Sequence, residues 1–309
     1  MRRAGLFLAI LVLGSFASGQ ETPQPASIPT VPANTSTAQE PAAPVTLTGD
    51  QIKELIREAA EKDIENDKKL RDYTYTKREE QRRLNSKGEV QSTESKTYEV
   101  MVLYGEQVER LVAKNDKPLS EKDAAKEEER IAKITSERKH ESEEHRAKRL
   151  KQEEKDREEG RQFVSEVSDA YNFHFDGVEN LDGRSAYVID AEPRPGFEPH
   201  SKQAKFLPKI RFRVWIDVAE HEWVKVDAQC IDTISVGLFL ARIHKGTQIV
   251  VQQTPVNGEV WLPKEVGFKL DARVALLKNF NVEVSQSFKD YKKFHAESKI
   301  VGVGEVEEK

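Results

Sequence analysis

The stretch KIRFRVWIDVAEHEWVKVDAQCIDTISV, residues 209–236, decides the fold of this chain. In its first run the apolar side chains recur at every second position: Ile210, Phe212, Val214, Ile216 and Val218. In its second run the same period selects Val224, Val226, Ala228 and Cys230. The two runs and their short polar link at 219–222 predict an antiparallel hairpin with one apolar and one polar face. We expect the rest of the chain to extend this sheet or to cover its apolar side.

The first 19 residues predict a cleaved secretory signal peptide. Arg2 and Arg3 form its charged head, residues 6–13 its apolar run, and residues 17–19 a small-residue cleavage site. The apolar run is too short to span a membrane, so an uncleaved anchor is the less favoured interpretation. Because no cysteine near the cleavage site could carry a lipid, the mature chain is expected to be periplasmic or secreted.

Composition excludes one broad class of function. Charged residues make up 33% of the 309 residues, with 49 basic and 54 acidic side chains, and this balance argues against a simple polycationic nucleic-acid binder. The lone cysteine, Cys230, can form no internal disulfide and falls on the apolar face of its strand, which favours a buried, inert thiol. The stability of the domain is therefore expected to come from its core.

Shifts in composition divide the chain that follows the signal. Residues 20–47 are rich in Pro, Thr and Ala and predict a disordered leader. One folded domain is expected over residues 48–297. The polar tail at 298–309 is expected to fray.

An amphipathic helix is predicted over roughly 49–70. Thr48 and Gln51 fit a capping box at its start. The apolar residues recur at helical spacing: Ile52, Leu55, Ile56, Ala59, Ala60 and Ile64. We expect this stripe to pack on the sheet; a helix that gates a cavity is the alternative.

Further strands are predicted on both sides of a charged segment. They are expected over residues 73–80, 97–104, 108–113, 171–178, 185–191, 248–254, 259–262, 266–276 and 282–291. Residues 193–208 hold four prolines and predict a long loop.

The charged segment, residues 120–161, predicts a helical insertion. From 121 to 161 there are 13 Lys or Arg and 14 Asp or Glu, and opposite charges recur at i,i+4. Ser142 is expected to cap a second helix within it. The few apolar residues keep no heptad, so a coiled coil is not supported. We interpret the segment as a solvated helix with a structural or spacer role; an arm that docks a partner is the alternative.

Four short motifs carry a resemblance to a known family. They are LDGRSAYVIDA at 181–191, VWID at 214–217, WVKV at 223–226 and EVWLP at 259–263. With the order of helix, meander, helical excursion and long strands, they resemble the LolA-like family of outer-membrane lipoprotein-sorting proteins, over about residues 48–295. The insertion at 120–161 is an enlargement that the sorting proteins lack.

The resemblance implies an α+β fold, an antiparallel half-open β-barrel with helices on its concave side and an apolar wall that takes acyl chains. The residues expected on this wall are Ile210, Phe212, Val214, Ile216, Val266, Phe268 and Leu270. The mouth of the cavity is expected at Phe197, Phe206, Leu238, Phe239 and Leu240. Because so broad an apolar face must be covered, an ordinary core filled by the protein's own helix is the alternative.

Catalytic and metal-binding patterns are missing from the sequence. His140 and His145 stand five residues apart, not the four that place two zinc ligands on one helical face. One cysteine excludes a Cys-rich zinc site. No nucleophile elbow, P-loop or dinucleotide-binding glycine pattern is present. We therefore predict no catalytic residue, no metal ligand and no cofactor.

The leading hypothesis is an exported, non-enzymatic carrier for acyl chains, lipid or lipidated protein, with peripheral membrane contact as a further expectation. The alternative is an envelope interaction or scaffolding protein that binds a partner protein through residues 120–161. A hydrolase with an unfamiliar site is the least favoured hypothesis.

Overall fold

The computed structural model describes residues 46–201, 204–236, 241–274 and 278–294. The predicted signal peptide, nearly all of the leader, the polar tail, and Leu238, Phe239 and Leu240 lie outside the described residues. Within those ranges, no helix has both the length and the apolar character that crossing a bilayer requires.

The described strands form one antiparallel sheet of 13 strands. Their bounds are β1 Tyr73–Leu84, β2 Val90–Leu103, β3 Glu106–Lys114, β4 Lys117–Pro118, β5 Tyr171–Leu181, β6 Arg184–Pro193, β7 Ile210–Asp217, β8 Trp223–Cys230, β9 Ile234–Val236, β10 Ala241–Ile243, β11 Gln248–Val256, β12 Val260–Val274 and β13 Lys278–Lys293. Their order is β4-β3-β2-β1-β13-β12-β11-β8-β7-β6-β5, with β10 pairing both β12 and β9. The two ends of this order do not pair with each other, so the sheet stays open. This is the half-open α+β arrangement that the resemblance implies.

Helix α1 spans Gly49–Leu70, in agreement with the prediction. The Thr48 hydroxyl accepts a hydrogen bond from the Gln51 N–H, and the Gln51 side chain accepts one from the Thr48 N–H, so the capping box is confirmed. The buried positions are Ile52, Leu55, Ile56, Ala59, Ala60, Asp63 and Asn66. The expectation that Ile64 continues the stripe is wrong, because Asp63, at i+4 and i+7 from Ala59 and Ile56, takes the buried position.

The charged insertion forms two helices, α2 Glu121–Lys139 and α3 Glu143–Ala170. The Ser142 hydroxyl accepts a hydrogen bond from the His145 N–H, which confirms the predicted cap of the second helix. Helix α3 continues past residue 161 because Phe163 and Val167 are buried against the β5–β6 hairpin and a short 3-10 turn, Ala204–Lys209.

Helix α2 protects an edge of the sheet. The Glu127 carboxylate accepts a hydrogen bond from the Leu111 N–H of β3 at 2.8 Å, and Arg130 donates to the Glu109 carbonyl of the same strand. An uncovered edge strand offers unpaired backbone groups to other chains. The first half of the insertion therefore has a structural role.

The hairpin of β7 and β8 forms where the sequence places it, with one local difference. A β-bulge pairs Trp215 with Lys225 but Ile216 with Trp223, which leaves Val224 as the extra residue. Val224 packs with Trp215, on the side opposite Ile216. The expectation that Val224 shares a face with Val226, Ala228 and Cys230 is therefore wrong.

Candidate functional site

We call the face of the sheet on which α1 lies the inner face. Strand pairing aligns its side chains into rows that cross seven strands, β5-β6-β7-β8-β11-β12-β13. The first row contains Phe173, Ala191, Phe212, Ala228, Ile249, Phe268 and Val284. The second row contains Phe175, Ile189, Val214, Val226, Val251 and Val266, and ends at Gln286. The inner face is therefore apolar from one edge of the sheet to its middle.

Helix α1 covers the second row. Its residues Ile52, Leu55 and Ile56 pack in one cluster with Ile189 and Val214. Ile216, Trp223 and Val251 belong to the same cluster. This part of the inner face is an ordinary packed core, the alternative that the sequence analysis weighed.

A second cluster lies at the end of the sheet where β8 and β12 finish and β13 begins. Its buried members are Ile210, Ala228, Cys230, Ile234, Ile243, Leu270, Ala272 and Val282, with Phe206, Phe212 and Phe268 packed against them. Among the described residues, none of these members comes from α1, α2 or α3. We call this group the strand-end cluster.

The seven residues expected on the lipid-binding wall all face inward but differ in environment. Val214 and Ile216 lie under α1, whereas Ile210 and Leu270 lie in the strand-end cluster. Phe212, Val266 and Phe268 are only partly buried. Phe212 lies against three clusters and so occupies the centre of the face.

The residues predicted at the mouth are only partly placed. Phe206 packs against the strand-end cluster, and Phe197 packs against the cluster formed by the last turns of α3. Leu238, Phe239 and Leu240 follow β9 outside the described residues. A single mouth that joins these five residues stays a prediction.

Beyond β13 both rows become polar, whereas Tyr75, Val100 and Phe288 form an apolar cluster near the end of α1. The first row continues to Gln81 and Glu94, and the second to Glu79 and Lys96. The Lys77 ammonium is buried, with 4% of the residue exposed; it donates to both Glu109 carboxylate oxygens at 2.8 Å and lies 4.5 Å from the centre of the Tyr98 ring. Burial raises the pKa of Tyr98 to about 12, with nearby carboxylates adding to the shift. The inner face thus has an apolar part and a charged part side by side.

A buried polar network joins α1 to the sheet. The Asp63 Oδ1 atom accepts hydrogen bonds from Trp223 Nε1 at 3.0 Å and from Gln253 Nε2 at 2.9 Å. One turn later, Asn66 donates to the Glu222 carboxylate at 3.0 Å. Burial raises the pKa of Asp63 to about 7 and also raises the pKa of Glu222. These residues fix the second half of α1 in place.

Sequence reasoning missed this network. The signal was present, because Asp63 and Asn66 fall at helical spacing within the apolar stripe. Their partners on β8 and β11 depend on long-range packing, which one sequence does not reveal.

The remaining His, Cys, Asp and Glu side chains form no metal-binding group within the described ranges. No set of three or more His, Cys, Asp or Glu residues there could hold a metal ion. Cys230 is buried, as predicted, and burial raises the pKa of its thiol to about 11. A thiol with a raised pKa is a poor nucleophile.

No family model matches the chain, and no curated protein matches its sequence. Its fold is similar to a Vibrio parahaemolyticus domain described as an outer membrane lipoprotein-sorting protein domain, with 12% identity, a TM-score of 0.30, and coverage of 79% of this chain and 95% of that one. A LolA superfamily protein from Nitrosomonas europaea matches with 9% identity, a TM-score of 0.29, and coverage of 81% and 94%.

The matches include the family that the sequence resembles. A DUF1329 family protein from Desulfovibrio piger also matches, with 10% identity, a TM-score of 0.26, and coverage of 79% and 94%. Scores this low carry no ligand and no activity over to this chain. The half-open arrangement of the sheet follows from its own strand order.

Proposed function

We propose that this protein is an exported, non-enzymatic carrier that binds the acyl chain of a lipid or a lipidated protein on the inner face. The observation that supports this is the first row of inward side chains. Phe173, Phe212, Ile249 and Phe268 are each only partly buried, although they belong to or border the core. The protein's own helices therefore leave part of the apolar face accessible.

The energetics favour a ligand at this row. A large apolar side chain kept in water forgoes about 1.5–3 kcal/mol relative to full burial. The small residues Ala191 and Ala228 alternate with Phe173, Phe212 and Ile249 along the row. This alternation leaves depressions between large side chains, into which a flexible hydrocarbon chain could pack. An acyl chain has no rigid shape to match, so it suits an extended apolar row better than a compact ligand does.

The charged part of the inner face supports an amphipathic ligand. Beyond Val284 the first row continues to Gln81 and Glu94, and Glu79 and Lys96 lie beside them in the second row. A ligand whose hydrocarbon lies across β5 to β13 would place its polar end near these side chains. A purely apolar ligand would gain nothing from them.

The experiment is binding of a fluorescent fatty acid to the purified protein, with Phe173→Ala and Phe268→Ala as test variants. We expect saturable binding to the wild type and weaker binding to both variants. Asn172→Ala is the matched control, because Asn172 precedes Phe173 on β5 but is exposed on the opposite face of the sheet. Thermal unfolding of each variant checks that the fold is retained. Absence of binding by the wild type, or equal losses in the control, would refute the proposal.

A further inference from the structure

The two halves of α1 are held to the sheet by different forces. In residues 49–57, Ile52, Leu55 and Ile56 pack against the inner face, and the side-chain hydrogen bonds recorded for this part of the described chain stay within the helix or its cap. The first half of α1 is therefore held by apolar contacts.

The second half adds polar contacts to the apolar ones of Ala59 and Leu70. Glu58 lies 2.9 Å from the His221 ring, Lys62 donates to the Glu220 carbonyl at 2.5 Å, and Lys69 donates to the Glu259 carbonyl at 2.9 Å. These contacts lie at the rim, where solvent weakens them. The buried contacts of Asp63 and Asn66 lie between them. The helix is thus anchored at its end through one desolvated polar centre.

This centre has more hydrogen-bond acceptors than donors. Asp63 is 6% exposed, and its two donors, the Trp223 indole and the Gln253 amide, are both neutral. The Gln253 Oε1 atom is buried and has no hydrogen-bond partner among the described residues. Neither of these two partners of Asp63 is a cation that could balance an ionised carboxylate. A neutral carboxylic acid carries no charge and supplies one more hydrogen-bond donor.

The charged groups nearest to Asp63 also favour its neutral form. On its own helix Asp67 repels an ionised Asp63, and from the β7–β8 link so does Glu222, which is itself buried. The cations Lys62 and Lys69 of α1 act on Glu222. The residues that face Asp63 from β8 and β11, Trp223 and Gln253, are neutral. Burial of the carboxyl is the largest cause of the raised pKa of Asp63.

We infer that Asp63, held between Trp223 and Gln253, is a proton-dependent latch that keeps α1 docked on the inner face while the carboxyl is neutral and releases the helix when it ionises. Release would expose the second row of apolar side chains to a ligand. The latch can be tested without a ligand; only its use in loading a ligand rests on the proposed carrier function.

The direction and size of the pH effect on docking follow from the difference between the pKa of Asp63 in the docked and the released state. The pKa of Asp63 is about 7 with the helix docked, against an ordinary value of 3.8 for an exposed aspartate. The docked helix therefore binds the proton more tightly, and docking is strongest at acidic pH and weakens as the pH rises towards 7. Between pH 5 and pH 8, these two values correspond to a loss of about a hundredfold in the docking equilibrium. Glu222 adds to this loss, because its pKa is raised as well.

Hydrogen–deuterium exchange of the full chain at pH 5 and pH 8, corrected for intrinsic exchange rates, tests the latch. We expect the opening constant of the amides in residues 52–66 to rise about a hundredfold more in the wild type than in Asp63→Asn, which cannot ionise. Glu65→Gln is the matched control, because it removes an exposed carboxylate from the same helix. It should behave like the wild type. Trp223→Phe removes a donor that favours the ionised carboxylate and so raises the docked pKa further. The opening of its α1 amides should therefore keep rising to a higher pH than in the wild type.

Three results would overturn the inference. One is an equal pH response in the wild type and Asp63→Asn. Another is an opening constant that levels off at the same pH in Trp223→Phe as in the wild type. The third is a parallel rise in the β7 amides, which would show that the pH effect acts on the whole fold and not on α1. Fatty-acid binding in the same samples reports the carrier function separately: a pH-dependent α1 without any ligand binding would keep the latch and refute the carrier.

Discussion

Ile56→Ala is the substitution that best separates a helix competing with ligand from a helix that is a permanent part of the core. Ile56 is 5% exposed and packs with Val214 and Ile216 beneath α1. Removal of its buried methyl groups should cost about 2–4 kcal/mol through lost burial and the cavity left behind. The higher helix propensity of alanine returns a few tenths of a kcal/mol at most.

The two functions of α1 give different results for this variant. If α1 competes with the ligand for the inner face, weaker docking should tighten the apparent affinity for a fatty acid, by about tenfold for each 1.4 kcal/mol of docking energy lost. If α1 only fills the core, the same change should lower stability and leave the affinity unchanged or weaker.

The assays are urea denaturation followed by circular dichroism, and fatty-acid titration at fixed pH. Lys53→Ala is the control, because Lys53 is exposed on the same helix and should change stability by less than about 0.5 kcal/mol. An Ile56→Ala protein with wild-type stability would refute the packing argument. A destabilised protein with unchanged affinity would refute the competition argument.

Three further predictions concern the cap, the charged part of the inner face and the mouth. Thr48→Ala removes the capping box of α1 and should lower the free energy of unfolding by about 1 kcal/mol in urea denaturation, whereas Thr48→Ser should keep it; equal loss in both would count against the cap. Glu109→Gln removes the carboxylate that holds the buried Lys77 ammonium and should cost about 1–3 kcal/mol in the same assay, and a cost near zero would contradict this assignment. Phe239→Glu and Leu240→Glu should lower fatty-acid uptake without unfolding the protein, and unchanged uptake would remove these residues from the mouth.

Local patterns in the sequence predict most of the elements, for a physical reason. The period of two in residues 209–230 and the cap at Thr48 are set by neighbours along the chain, so the hairpin and α1 follow directly. The β5–β6 turn is of the same kind, since Asp182 and Gly183 both adopt positive φ, as a two-residue hairpin requires.

Features that depend on distant partners were not predicted. The face of Val224 depends on a bulge between two paired strands, and the role of Asp63 depends on donors from β8 and β11. The end of α3 depends on Phe163 and Val167 reaching a core built from other elements. For the site, the inward direction of the seven wall residues followed from alternation, but their division between α1 and the strand-end cluster required the structure.

The most direct measurement of the central claim is photo-crosslinking with a fatty acid that carries a diazirine in its hydrocarbon chain, followed by peptide mapping. A ligand on the inner face should label β7 and β12 at Phe212 and Phe268, and excess unlabelled fatty acid should prevent this labelling. Labelling confined to the exposed residues Val90 and Tyr104, or labelling that no competitor reduces, would contradict the account.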